Sequence, residues 1–370
     1  MRINRTDAID PGFRNSPHGD RTLVVIFLRG GADGLTLVPP HGLDGYRRAR
    51  PTLAVAKDDI IDLDGMFGLH ARMRSLMPHW ERGAMRIVTG AGTADTSRSH
   101  FEAQDFLEHG GRSGAGWIAR YLRARTPAPG ALGTVAIGTT LPESLRGAPG
   151  GVVLQRVNDF DLAGDDPRVL DALRGLYESD ATALGAAGRA TLEAERRLRD
   201  LRGREDRAGV AYPDTILGRG LREIAKLVKS DVGLVATTVD AVGGALGWDT
   251  HFVQSAAIGS LMEDLADSIA AFLEDLGERR SRVTLVAMTE FGRRVAENTS
   301  FGTDHGAGSV AFTIGDVLPD GPGLHRGFTS LDLDALIGPG DVPVTTDLRD
   351  VILPVLRQHA PTSDLSGVFA

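Results

Sequence analysis

Val283-Thr284-Leu285-Val286-Ala287-Met288, running into Thr289-Glu290-Phe291-Gly292-Arg293, is the stretch from which the fold is read. Its first six residues are apolar or β-branched without alternation. That is the pattern of a strand buried on both faces, as in a parallel sheet covered by helices. At its C-terminal end the chain turns polar at once and presents Glu290. Gly302-Thr303-Asp304-His305-Gly306 follows, with glycines that let backbone approach a ligand closely. Acid and imidazole groups just beyond a buried strand lie where open α/β sheets bind ligands.

Working outward, Val310–Ile314 is the last strand of the chain. Upstream, the run from Val232 to Val239 is another, and beyond it lies Gly247-Trp248-Asp249-Thr250-His251. An acid and an imidazole two residues apart point the same way only in extended or turned backbone. Both suit Zn, Mn, Fe or Mg rather than soft metals. The same residues also fit a helix start, with Asp249 or Thr250 capping a helix that carries Ile258, Leu261, Leu265, Ile269, Phe272 and Leu276 on one face and stops at Gly277.

Further back, the strand Ala84–Thr89 precedes Thr93-Ala94-Asp95-Thr96-Ser97-Arg98-Ser99-His100-Phe101-Glu102. Ser99 followed three residues on by Glu102 is a capping-box spacing, predicting a helix to His109 stopped by Gly110-Gly111. A hydroxyl at a helix N-terminus also sits in positive potential that stabilises an alkoxide, so cap and nucleophile both fit Ser99, with His100 beside it. The first strand, Thr22–Leu28, runs into Arg29-Gly30-Gly31-Ala32-Asp33-Gly34-Leu35, where Asp33 is either an Asp-Gly turn residue or a free carboxylate. The G-x-G-x-x-G dinucleotide fingerprint is absent. Helices are predicted over Ala71–Arg82, from Leu217 to Val228, and over Asp347–His359, where Asp347, Arg349 and Asp350 read as surface charges.

Apolar strands alternating with amphipathic helices predict an α/β fold, a doubly wound, mostly parallel sheet with helices on both faces. Residues 1–20, polar and carrying Pro11, Gly12, Pro17 and Gly19, read as a flexible arm. Residues 21–370 read as one domain with a helical insertion around 155–212, in which Thr191–Arg202 is a charged, solvated projection. The 370 residues carry a net charge of -8, which gives no electrostatic attraction to nucleic acid. Zero cysteines exclude disulfides, thiolate metal sites and cysteine nucleophiles. Leu23–Leu28, the longest apolar run near the start, is too short to span a bilayer. No charged-then-apolar signal or twin arginine precedes it, so the chain reads as cytoplasmic as written, or as exported with its signal missing.

Leu28–Leu35, Ser97–Asp105, Gly247–His251, Glu290–Arg293 and Gly302–Gly306, in this order, resemble an uncharacterised bacterial family, domain of unknown function 1501. That family is placed in the alkaline-phosphatase and sulfatase superfamily. The resemblance runs from about Thr22 to the C-terminus. It implies an alkaline-phosphatase-like fold and a metal-dependent hydrolase acting on a phosphate or sulfate ester, small-molecule or glycan. It also implies one or two divalent ions (Zn, Mn, Fe, Ca or Mg) and a Ser or Thr nucleophile at a helix N-terminus. Carried onto this sequence, Asp33, Asp249, His251, Glu290, Asp304 and His305 are the metal candidates, while Ser99 matches the nucleophile, ahead of Ser97 or Thr96. Phe291 stands where the superfamily has a histidine, so one ligand is missing unless the Gly302–Gly306 loop folds back to supply His305. Arg293 then falls on the following turn, as a group for the substrate's anionic oxygens. Otherwise Glu290 and Arg293 form an exposed helix-face pair. The competing readings are a non-catalytic metal- or ligand-binding assembly protein that keeps the fold, and a metal-free serine hydrolase using Ser99, His305 and an acid. The absence of a G-x-S-x-G elbow counts against the last.

Overall fold

The computed structural model describes residues 21–369 apart from 112, 161, 163–165, 202–208 and 244–246; the residues read as an N-terminal arm lie outside the described ones. The strands are β1 (Thr22–Leu28), β2 (Ile60–Asp62), β3 (Gly68–His70), β4 (Met85–Gly92), β5 (Thr134–Ile137), β6 (Val152–Leu154), β7 (Ala236–Ala241), β8 (Val283–Met288), β9 (Ser309–Ile314), β10 (Gly323–His325) and β11 (Thr346–Asp347). The α-helices are α1 (Gly34–Leu37), α2 (Asp44–Ala49), α3 (Met77–Glu81), α4 (His100–Glu108), α5 (Trp117–Ala124), α6 (Pro167–Glu178), α7 (Ala183–Leu201), α8 (Ile216–Lys229), α9 (Gln254–Leu276) and α10 (Leu348–His359).

Nine strands form one sheet in the order β10-β4-β9-β8-β1-β7-β5-β6, with β11 also on β4; β2 and β3 make a separate hairpin. Every pairing in the large sheet is parallel except those of β9 with β4 and β8. The fold is α/β with a mostly parallel sheet, and β9 alone is reversed. That reversal has a positional consequence. The chain leaves β8 at the C-terminal edge of the parallel strands and enters β9 at the same edge, so residues 289–308 stay there without a crossover.

The alternation of β1 shows both faces covered. Val24, Ile26 and Leu28 join a core with Leu217, Leu221 and Ile224 of α8 and Leu265, Ile269 and Phe272 of α9. Leu23, Val25 and Phe27 join the opposite core, with Trp117 and Tyr121 of α5 and Val351 and Val355 of α10. Burying apolar side chains on both sides at about 25 cal/mol per Å² is what makes an unbroken β-branched run favourable in the middle of a sheet.

Some expected elements differ. The stretch from Ala71 to Arg82 is a 3₁₀ segment to Leu76 and then α3, because Pro78 can only open a helical turn and removes an amide donor. Val310–Ile314 is not the last strand, since the short edge strands β10 and β11 follow it. Asp347 is more than a surface charge: its carboxylate accepts from Arg349 N–H at 2.8 Å and caps α10. The segment from Thr191 is not wholly solvated, as Ala194, Leu198 and Leu201 of α7 pack into the main core. Among the described residues no helix is long and apolar enough to cross a membrane.

Candidate metal centre

Three connections at the C-terminal edge of the sheet bring imidazoles and carboxylates together. The loop after β4 delivers His100, the loop after β7 delivers Asp249 and His251, β8 leads into Glu290, and the loop before β9 delivers His305. The β8–β9 connection doubles back on itself. Gly292 N–H donates to Ala307 O at 2.8 Å, Gly306 N–H to Gly292 O at 2.8 Å, and Arg293 bridges to His305 as an isolated antiparallel pair. The loop after β1 closes the floor at Gly30, whose φ of +121 suits glycine; a Cβ there would lie 2.6 Å from Asp249 N.

Two of the three imidazoles are pinned at Nδ1 by an acceptor: His305 Nδ1 lies 2.8 Å from Arg98 O and His100 Nδ1 2.8 Å from Glu290 Oε1, while His251 Nδ1 is in ion-pair range of Asp304 Oδ1 at 3.5 Å. A carbonyl or carboxylate only accepts, so these two hydrogen bonds place a proton on Nδ1 of His305 and His100 and turn their Nε2 atoms to the site. The Nε2 atoms converge on one carboxylate. Asp249 Oδ1 is 3.2 Å from His305 Nε2 and 3.1 Å from His251 Nε2, while Oδ2 is 3.3 Å from His100 Nε2. His251 Nε2 and His305 Nε2 are only 2.8 Å apart. His100 Nε2, although in ion-pair range of Asp249, has no aligned hydrogen-bond partner and is buried.

This donor set fits a divalent cation. Two lone pairs facing each other repel unless a cation or a proton lies at them, and a buried ring nitrogen without a partner costs desolvation energy. Imidazoles held at Nδ1 by carboxylate or carbonyl, with Nε2 turned to a common point, are the arrangement by which proteins orient histidine ligands. Among the described residues His100, Asp249 and His305 offer ligand atoms all within 4.8 Å of one another. Burial alone would lower the His100 pKa, but Asp249 and Glu290 outweigh it and raise it to about 9, so without another cation these acids keep a second proton on the ring. A divalent ion would displace that proton. Asp249 shows the matching effect: against burial, the neighbouring His100 and His305 rings and the Arg293 guanidinium hold its carboxyl well below the usual range.

The expected site residues divide into three groups. Asp249 and His305 meet at the common point with His100, which the sequence suggested as a catalytic group beside Ser99, and His251 Nε2 adjoins it, 3.1 Å from Asp249 and 2.8 Å from His305. Glu290 and Asp304 stand one layer behind. Glu290 is buried and accepts from His100, from Gln104 Nε2 at 2.9 Å and from Gly30 N–H at 2.9 Å. Its Oε1 takes all three of these contacts and its Oε2 accepts from Thr289 Oγ1 at 3.0 Å, so it orients His100 rather than sharing the point with His305. Asp304 is partly exposed, braced by Asn298 at 3.0 Å, and faces the far side of His251.

Asp33 and Arg293 are spent elsewhere. Asp33, expected as a metal ligand, is buried with both oxygens on Arg50, at 2.5 and 2.9 Å, and takes further hydrogen bonds from Thr36 and Gln254, each at 2.6 Å. Arg293, expected to face a substrate, is instead a buried clamp. Its guanidinium donates to Gly31 O at 2.6 Å, Thr303 O and Trp248 O at 3.1 Å, Gly30 O, and Asp249 Oδ1 at 2.6 Å. The exposed Glu290–Arg293 pair is equally excluded, since both side chains are buried.

Two capping ambiguities are resolved. Helix α9 begins after Val253 with no side-chain cap, so neither Asp249 nor Thr250 caps it. Ser99 holds the N-cap position of α4, which ends at Gly110 and Gly111 as expected, but its hydroxyl makes no capping bond. Ser97 Oγ is tied to Asp95 Oδ1 at 2.7 Å and accepts Ser99 N–H at 3.1 Å.

Sequence reading missed the supports. Phe291, in place of a histidine, stacks its ring 4.8 Å from both His100 and His305. His100, Gln104 and Glu108 form one stripe of α4: Gln104 links Glu290 to Arg29, and Glu108 accepts from Arg29 at 2.7 Å. Their i, i+4, i+8 spacing was visible as a polar stripe. Arg98, whose carbonyl holds His305, is itself anchored by Asp341 at 2.5 Å, a partner 243 residues away that no local pattern announces.

No curated protein matches this chain. Among solved structures it is similar to Ps i-CgsB in complex with k-i-k-neocarrahexaose, at 10% identity and a TM-score of 0.41, covering 94% of this chain and 73% of that one. It is also similar to a 2-O GAG sulfatase, at 10% identity and a TM-score of 0.36, covering 94% of this chain and 72% of that one. Neither likeness is close enough to carry an argument about this chain. The match that places it is in sequence: residues 98–322, which span His100, Asp249, His251, Glu290 and His305, fit the family described as "Protein of unknown function (DUF1501)", and the chain belongs to that family.

Proposed function

We propose that this chain is a metal-dependent hydrolase of phosphate or sulfate esters, related to the alkaline phosphatases and sulfatases. The observation that carries the reading is the convergence of the His100, His251 and His305 Nε2 atoms on the Asp249 carboxylate, with the His100 and His305 rings held from behind by hydrogen-bond acceptors. A divalent ion held by these four residues would supply Lewis-acid polarisation of an ester oxygen. The rest of the work falls to the chain. Glu290 fixes the His100 ring, and Arg293 holds Asp249 while tying the loops after β1 and β7 together.

Ser99 is the proposed nucleophile. It is one residue from His100 at the start of α4, and its hydroxyl is not consumed by capping, whereas Ser97 is hydrogen-bonded to Asp95. In the first half-reaction Ser99 Oγ bonds to phosphorus or sulfur, the ester C–O oxygen leaves with the bonding pair, and the hydroxyl proton ends on that oxygen. Water then releases inorganic phosphate or sulfate and restores the hydroxyl.

The experiment is hydrolysis of 4-nitrophenyl phosphate and 4-nitrophenyl sulfate by protein of measured metal content. Wild type should turn over one of them. Ser99→Ala should lose that activity while changing stability by less than about 0.5 kcal/mol, because no capping bond is lost. Retained turnover in Ser99→Ala would remove Ser99 from the mechanism. No turnover of either ester by metal-loaded wild type would favour a binding protein.

A further inference from the structure

Two parts of the candidate site come from segments far apart in sequence: the loop after β4, with Ser99 and His100, and the β8–β9 connection, with His305. Arg98 is where they join. Among the described residues, the hydrogen bonds of Ala94 to Ser99 are local except those of Arg98; Ser97 Oγ, for example, donates to Asp95 at 2.7 Å and accepts Ser99 N–H at 3.1 Å. Arg98 O accepts from His305 Nδ1 at 2.8 Å. Its guanidinium donates to Asp341 Oδ2, from Nε at 3.0 Å and from Nη2 at 2.5 Å.

Asp341 is in turn fastened to the β8–β9 connection. It forms isolated antiparallel bridges with Arg294 and Ile337, and its neighbours add two backbone bonds. Val295 N–H donates to Gly340 O at 3.0 Å, and Gly308 N–H donates to Val342 O at 2.8 Å. The segment 337–342 therefore grips that connection on both sides of His305 in sequence, and one ion pair ties the loop after β4 to it.

The pair is not built as stability alone would build it. Arg98 has φ 54, in the left-handed region that residues other than glycine rarely adopt. Glycine would take that conformation without strain, but it has no side chain to reach Asp341. Asp341 is fully buried, and its Oδ1 has no hydrogen-bond partner. Burying a carboxylate costs desolvation that a guanidinium offsets only in good geometry, and an apolar pair of similar volume is often as stabilising. What the ion pair adds is direction. It fixes where residue 98 lies, and so where its carbonyl meets His305 and where Ser99 and His100 open α4.

We infer that Arg98 and Asp341 are positioning residues of the candidate metal centre, holding the His305 ring and the Ser99–His100 helix start in one register. The inference rests on the metal-dependent hydrolase reading. The test is zinc affinity of the full chain, by competition with a chromophoric chelator, beside urea unfolding of the metal-free protein. The variants are Asp341→Asn, and Arg98→Met combined with Asp341→Leu. The double change replaces the pair by apolar groups, so stability should stay near the wild-type value. Zinc affinity should nevertheless fall at least about tenfold, as for other groups behind a histidine ligand. Asp341→Asn keeps an acceptor for Arg98 without a buried charge, and should show a smaller fall of the same kind. The visible spectrum of cobalt-loaded protein should change in both, because the His305 ring is no longer held in place. Wild-type zinc affinity with an unaltered cobalt spectrum in both variants overturns the positioning role and leaves the hydrolase reading standing. A fall in affinity no larger than the loss of stability accounts for overturns it as well. Absence of zinc and cobalt binding by wild type overturns the metal centre and the positioning role together.

Discussion

Asp33 and Asp249 are the same residue type in the same kind of place, each in a glycine-containing turn after a buried parallel strand, and the fold uses them in opposite ways. Asp33 is sealed and saturated. Arg50 takes both its oxygens, Thr36 and Gln254 complete the shell, and against its burial these partners lower its pKa. Asp249 keeps an open side. Arg293 takes one oxygen, and the remaining directions face imidazole nitrogens. One aspartate is a structural ion pair, the other the centre of a candidate site. The difference lies in which distant residue arrives.

The comparison breaks most visibly in stability. Asp33→Asn leaves the Arg50 guanidinium buried without its counter-charge, which should cost about 3–5 kcal/mol in urea unfolding. Asp249→Asn, at a partly exposed position where Arg293 keeps its backbone acceptors, should cost about 1 kcal/mol yet lose most of the bound metal. Equal destabilisation by the two changes would mean that the two aspartates do the same job.

A smaller effect sharpens the line between ligand and support. Glu290→Gln keeps a hydrogen-bonding group behind His100 but removes the charge that orients its ring. Metal affinity should fall about 10–100-fold, the usual range for a residue behind a ligand, without being abolished. An affinity change as large as that of Asp249→Asn would instead make Glu290 a direct ligand.

How much of this was legible in the sequence follows from where each signal resides. The runs Thr22–Leu28 and Val283–Met288 announced themselves because burial on both faces demands unbroken apolar chains. The helix after Ser99 was legible for the same local reason, from its start to its terminal glycines. The return of His305 to Phe291 was only inferable from the missing histidine there, since it depends on the reversal of β9, a property of the whole sheet. The fate of Asp33 turned on Arg50, and that of Arg293 on carbonyls from the loops after β1 and β7. A carboxylate or guanidinium looks alike in sequence whether it will be buried and paired or left facing a cleft.

The central claim is that His100, Asp249, His251 and His305 hold a divalent ion. It is tested most directly by elemental analysis of full-length protein purified without chelator, wild type beside His251→Ala and His305→Ala. Wild type should carry about one to two equivalents of Zn, Mn, Fe, Ca or Mg, and both variants should lose most of it. Metal content that is unchanged in both variants would contradict it.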